Sequence, residues 1–140
     1  MHGAPVIELT DDESWELLRS TPLGRLAVHA AGDLDIFPIN YVVDDNTLVI
    51  RTAPGTKLME LTVHSAVTFE IDGWTDHSAW SVVVKGIAEQ LDHQADIDRA
   101  DTLPLVSWIP TIKYRYVRIT PTQVTGRRFV RGPEPDRYPL

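Results

Sequence analysis

Residues 79–91 constrain the fold most. They read as one long strand whose centre, Val82-Val83-Val84, is apolar on both faces. A strand in an antiparallel sheet usually turns one face to water and alternates accordingly. A centre that is apolar on both sides needs a core on one side and cover on the other. A chain with few long helices has little of its own to supply that cover. A second copy can supply it, so a homodimer with residues 80–85 in its interface is expected.

The remaining runs are shorter and also strand-like. Residues 23–29 and 34–43 flank the turn Ala31-Gly32-Asp33 and form a hairpin pattern. Pro38 lacks an N–H and marks the second of these strands as an edge or a bulge. Asp44-Asp45-Asn46 turns the chain into a third strand, residues 47–50. Residues 66–72 alternate cleanly, with Val67, Phe69 and Ile71 on the apolar face. Residues 114–119 close the sheet, and 123–126 extend it past Pro121. Thr10-Asp11-Asp12-Glu13 is a capping box that opens a short helix carrying Trp15, Leu17 and Leu18 and ending at Thr21-Pro22. A second helix is expected over residues 93–103, and a short helical run at residues 58–61. Residues 105–112 have no clear assignment. Residues 1–8 read as a loose leader and residues 130–140 as a flexible tail, basic and Pro-containing from Arg127 onward. The pattern predicts a mainly β protein: a single domain over residues 1–140, with six antiparallel strands in meander order forming a small closed or nearly closed barrel.

Bulk properties narrow the function. The chain has 140 residues and a net charge of −7, so no overall positive field gathers nucleic acid. There are no cysteines, which removes disulfides, thiolate metal sites and Cys nucleophiles. No apolar run approaches membrane-spanning length and residues 1–10 carry no signal-peptide pattern, so a cytoplasmic protein away from membranes is expected. The five histidines, His2, His29, His64, His77 and His93, are never at metal-ligand spacing, and no metal site is expected. Ser81 lacks a nucleophile-elbow pattern, and Gly55-Thr56-Lys57 is not a Walker loop. No catalytic residue can be named from the sequence.

One stretch stands out against the acidic background. In Ile50-Arg51-Thr52-Ala53-Pro54-Gly55-Thr56-Lys57 a strand runs into a turn and then a helix start. Pro54 fixes φ and Gly55 tolerates positive φ, which forces the turn. Two cations and two hydroxyls are then expected to converge with the N–H groups of the helix start, a corner suited to a phosphate. The competing reading is a solvated polar loop. Trp80 reads equally well as a core residue or as a platform for a flat ligand.

Four stretches resemble the FMN-binding split-barrel family, the pyridoxamine 5′-phosphate oxidase-like proteins. They are Pro22-Leu23-Gly24-Arg25-Leu26-Ala27, Pro38-Ile39-Asn40-Tyr41-Val42-Val43, the stretch from Ile50 to Lys57, and Trp80-Ser81-Val82-Val83-Val84-Lys85-Gly86. The closing Tyr116-Val117-Arg118-Ile119-Thr120-Pro121 fits as well. The resemblance implies a split β-barrel homodimer with FMN in two interfacial grooves. It also implies a cofactor site containing Asn40, Ile50, Arg51, Thr52, Gly55, Thr56, Lys57, Trp80 and Ser81. An oxidoreductase acting on a small conjugated substrate follows. The alternatives are a deazaflavin-dependent reductase and a non-catalytic flavin or ligand carrier. No His follows His93, where family members that oxidise pyridoxamine phosphate hold their substrate, so that particular activity is expected to be poor.

Overall fold

The computed structural model describes residues 6–30, 32–61, 65–108 and 114–133. In chain order these form β1 (Val6–Leu9), α1 (Asp11–Ser20), β2 (Leu23–Ala30), β3 (Asp33–Asn40), β4 (Val42–Asp44), β5 (Thr47–Thr52), α2 (Lys57–Leu61), β6 (Ser65–Trp74), β7 (Ser78–Gln90), α3 (Gln94–Asp101) and β8 (Arg115–Val130). The strands make one antiparallel sheet in the order β3-β2-β6-β7-β8-β5-β4, with β1 added on β8. The sheet curls into a half-barrel. Among the described residues no strand pairing joins its ends, β3 and β4.

Eight strands replace the expected six, and the order is not a meander. Two local features account for much of the difference. The run 34–43 is divided at Tyr41, whose N–H donates to Pro22 O at 3.2 Å and whose hydroxyl donates to Leu18 O at 2.5 Å. Buried Tyr41 thus peels the chain off β2 and hands the next residues to β5. The second feature is β8, which takes in the expected extension and continues to Val130. Arg127 to Val130 pair with β7 on one side, and Arg127 to Phe129 with β1 on the other. Residues 6–8 and 127–130 are therefore sheet, not leader and tail. Residues 1–5 and 134–140 lie outside the described residues, as do 109–112 of the unassigned segment. Residues 105–108 carry no helix or strand.

Several local readings hold. Thr10 Oγ1 accepts from Glu13 N at 3.2 Å, and Glu13 Oε1 accepts from Thr10 N at 3.0 Å, so the capping box is complete. Asp45 and Asn46 both have positive φ, the conformation that a two-residue hairpin loop requires. Pro38 sits on an edge strand. Pro121, lacking an N–H, is tolerated inside central strand β8 beside a bulge: Lys85 pairs with Gln123 and Gly86 with Pro121, leaving Thr122 as the extra residue.

The core fills the concave side. Leu26 and Val28 of β2, Leu48 and Ile50 of β5, Phe69 and Ile71 of β6, Val82 and Val84 of β7 and Ile119 of β8 pack there with Leu18 of α1. A second cluster lies on the convex side, where Leu91 and Ala100 of the α3 region cover Val49 and Tyr116. Among the described residues the rest of the convex face has no such cover. One of its rows runs Pro38, Arg25, Glu70, Val83, Thr125 across five strands.

Candidate functional site

The strand–turn–helix corner forms as expected, with Gly55 at φ +76°. Its hydroxyls do not converge. Side chains alternate along β5, so Ile50 and Thr52 enter the core while Arg51 emerges on the convex side beside Val49. Thr52, 4% exposed, donates its hydroxyl to Met59 Sδ at 2.8 Å. Thr56 donates its own to Ala53 O at 2.7 Å and accepts from Met59 N at 3.2 Å, which caps α2. The helix is only five residues long, and Glu60 N is taken by Thr56 O. The N–H groups expected to meet a phosphate are thus partly consumed within the corner. What the corner offers outward is charge.

Both cations have partners inside the chain. The Arg51 guanidinium lies 4.5 Å above the centre of the Tyr114 ring, an arrangement that orients it without neutralising it. Lys57 Nζ meets Asp35 Oδ2 at 3.0 Å. That oxygen is itself buried, and Lys57 is its ionic partner. Asp35, reinforced at longer range by Asp33, raises the Lys57 pKa above the usual lysine value. The ion pair spans the open seam between edge strand β3 and α2.

The other candidates separate into two groups. Asn40 is structural: its Nδ2 donates to Pro22 O at 3.1 Å and its Oδ1 accepts from Trp108 N at 2.9 Å. Ile50 is fully buried. Trp80 lies on the concave side against the core, its ring over Gly73 where any Cβ would collide. Ser81, next along β7, points the other way. On the convex face Ser81 stands between Asp72 of β6 and Arg127 of β8 as their Cα partner. Nearby, Arg25 Nη2 bridges Glu70 Oε1 at 2.6 Å and Asp72 Oδ2 at 2.5 Å. Burial, then hydrogen bonding to Asp72, pushes the Glu70 carboxyl up. Asp72 is held down against its own burial by Glu70 and Arg25.

Pairing along β8 sets Arg51 well apart from Ser81 along the sheet. Arg51 pairs with Tyr116, whereas Ser81 pairs with Arg127, eleven residues further along the same strand. Eleven residues of extended strand cover about 36 Å of contour, which the curl and bulge of β8 shorten. One chain therefore carries two half-sites, a cationic corner and a convex sheet face, at opposite ends of β8.

Sequence reasoning missed Asp35 and Tyr114. Asp35 shares a face with Phe37 and Ile39, both packed on the core, and a carboxylate in that alternation was the available signal. Tyr114 gave none, because its contact with Arg51 depends on the β5–β8 register. Among the described residues no helix is long and apolar enough to cross a membrane.

Comparison with known proteins agrees with this architecture. A family model described as pyridoxamine 5′-phosphate oxidase matches residues 10–128. An uncharacterized protein of Mycobacterium tuberculosis is 41% identical over 96 residues, covering 69% of this chain and 87% of the relative. Among solved structures, the FAD binding protein from Mycobacterium smegmatis is 41% identical, with a TM-score of 0.83 over 90% of this chain and 100% of that one. A conserved protein of unknown function from Corynebacterium diphtheriae is 40% identical, with a TM-score of 0.79 over 91% and 100%. The half-barrel, the strand–turn–helix corner and the match over residues 10–128 together place the chain in the pyridoxamine 5′-phosphate oxidase-like split-barrel family.

Proposed function

We propose that this protein binds a flavin nucleotide in a groove between two copies of the chain and exchanges electrons between it and a small conjugated substrate. The separation of the two half-sites carries this reading. A flavin nucleotide needs a cationic hold for phosphate and a flat surface for its ring, and one chain presents these far apart. Two copies related by a twofold axis bring the corner of one beside the convex face of the other, once in each groove. The exposure of that face supports the same arrangement. Leu34 is 71% exposed and Ile36 65%, both on the convex side of β3, and half-buried Val83 continues the surface on β7. The 41% identity to an FAD binding protein favours a flavin over other phosphate ligands.

The residues fit such a group. Arg51 and Lys57 supply charge-assisted hydrogen bonds to phosphate oxygens. The Ser81 hydroxyl offers a hydrogen bond at the ring, and Val83 keeps water from the same surface. Arg25 holds Glu70 and Asp72 so that two adjacent carboxylates do not present bare charge there. A bound flavin brings the redox chemistry itself, while the protein provides position and electrostatics.

The test is the absorbance of the purified protein, followed by anaerobic titration with reduced nicotinamide. A bound flavin that bleaches and then passes electrons to an added acceptor is expected. A flavin that binds but never turns over makes the protein a carrier, and a colourless protein that takes up no added flavin overturns the reading.

A further inference from the structure

Beyond Ser81, the end of the convex face carries a row of apolar side chains that one chain leaves open to water. Gly73 pairs with Trp80, whose ring lies on the concave side, so Trp74 and Ala79 point the other way. From β6 to β1 the row runs Trp74, Ala79, Phe129, Val6, each the Cα partner of the next. Trp74 is 74% exposed. It adds little to the core, and its indole presents a flat face for stacking. The parallel row Asp72, Ser81, Arg127, Glu8 lies two residues back along the strands, about 7 Å away. A planar molecule on Trp74 and Phe129 would therefore lie beside a ring seated at Ser81.

Two guanidinium groups bracket this row. Arg127 precedes Phe129 by two residues and shares its face, while Arg131 Nη1 donates to Thr75 O at 2.6 Å, next to Trp74. Glu8 is the Cα partner of Arg127, and Asp76 lies in the turn after Trp74. Among the described residues neither acid forms an ion pair with either arginine, and Asp72 is already held by Arg25. A guanidinium without a carboxylate presents a fork that matches one. Resting on the flavin reading above, we infer that the Trp74–Phe129 row is the substrate platform of that site and takes a planar aromatic carboxylate. The two rings hold its plane, and Arg127 and Arg131 hold its carboxylate.

Calorimetric titration of the full chain, saturated with whichever of FMN and FAD it takes up, tests this with three probes. These are 2-naphthoate, its neutral analogue 2-naphthalenemethanol, and cyclohexanecarboxylate, an acid without a flat ring. The parent is expected to bind 2-naphthoate most tightly, and the absorbance of its bound flavin should shift as it does so. Trp74→Ala should weaken both naphthalene probes by up to about tenfold, and Trp74→Phe should recover most of that loss. Arg127→Gln combined with Arg131→Gln should weaken 2-naphthoate roughly ten- to a hundredfold and leave the alcohol unchanged. Sedimentation of the same variants guards against a purely structural effect. A dimeric parent whose Trp74→Ala variant is monomeric makes Trp74 an anchor between copies and overturns the inference. So do a 2-naphthoate affinity unmoved by Trp74→Ala, equally tight binding of cyclohexanecarboxylate, and binding that leaves the flavin absorbance unchanged. In a parent that holds flavin, each of these sinks this inference alone. A parent that takes up no flavin sinks the flavin reading and the platform's role as its substrate site with it.

Discussion

Asp44 Oδ2 accepts a hydrogen bond from Arg118 Nη1 at 3.0 Å, joining β4 to β8 through a carboxylate that is 5% exposed. Arg99 of α3 closes on the same group with two more, Nη2 to Oδ1 at 2.7 Å and Nε to Oδ2 at 3.2 Å. One carboxylate thus fastens a hairpin, a helix and the longest strand of the sheet.

Removing that carboxylate should be costly. Among the described residues, Asp44→Ala leaves Arg118, whose side chain is 20% exposed, with Thr47 Oγ1 as its one remaining hydrogen-bond partner. Breaking a buried pair in this way costs about 3 kcal/mol, or about 10 °C in Tm for a domain of this size. Thermal unfolding followed by circular dichroism measures it, and a shift below about 2 °C would contradict the role given to Asp44.

The same group sets an acid limit. The Arg99 hydrogen bonds, then Arg118, hold Asp44 below its usual value of 3.8 in spite of burial. Its folded pKa is depressed, so its contribution is fully present above the unfolded value and is lost as pH falls through the folded one. Stability of the parent should therefore decline as pH drops below about 3.8. In Asp44→Asn that part of the decline should be absent, which urea unfolding at a series of pH values measures.

Arg51 is the cation of the corner with no carboxylate on it among the described residues. Arg51→Ala should remove a charge-assisted contact of about 1.5–3 kcal/mol, or roughly ten- to a hundredfold in flavin nucleotide affinity. Adding Lys57→Ala should cost less than Arg51→Ala alone, because Asp35 already shares the Lys57 charge. An unchanged affinity in the folded double variant would favour the solvated-loop reading of the corner.

Val83 tests the assembly. It lies half-buried on the convex face with Glu70 as its Cα partner on β6 and Thr125 on β8. Val83→Glu places a second carboxylate beside Glu70, with no free cation directly opposite among the described residues. The parent should sediment as a dimer and Val83→Glu as a folded monomer, since burying the unpaired charge costs several kcal/mol. A parent that is monomeric at micromolar concentration would remove the two-copy groove.

Local grammar was legible in the sequence and long-range pairing was not. Thr10 and Glu13 announce α1 because they are three residues apart, and Asp45-Asn46 announces a hairpin for the same reason. The neighbours of β8 depend on residues as far away as Val6, the partner of Phe129, and alternation in β8 does not say which strands flank it. The Ile50–Lys57 corner was found by composition, yet its hydroxyls were misdirected. Alternation already placed Thr52 opposite Arg51, but the Met59 sulfur that takes the Thr52 hydroxyl belongs to the following helix. The pairing of Lys57 with Asp35 crosses the seam between sheet edges, where no strand register exists to reveal it.

The place of β8 in the sheet has a consequence for synthesis. It joins β3-β2-β6-β7 to β5-β4 and also holds β1, so strand pairing alone leaves the two sides unconnected until residues 115–130 arrive. A nascent chain leaving the ribosome would have made its hairpins and α1 by then, with the apolar concave faces still open to water. Closure waits for the last strand described here, and with contacts so distant in sequence it should be slow. During that interval the half-sheets, and not the finished half-barrel, are what a chaperone or a second nascent copy would meet.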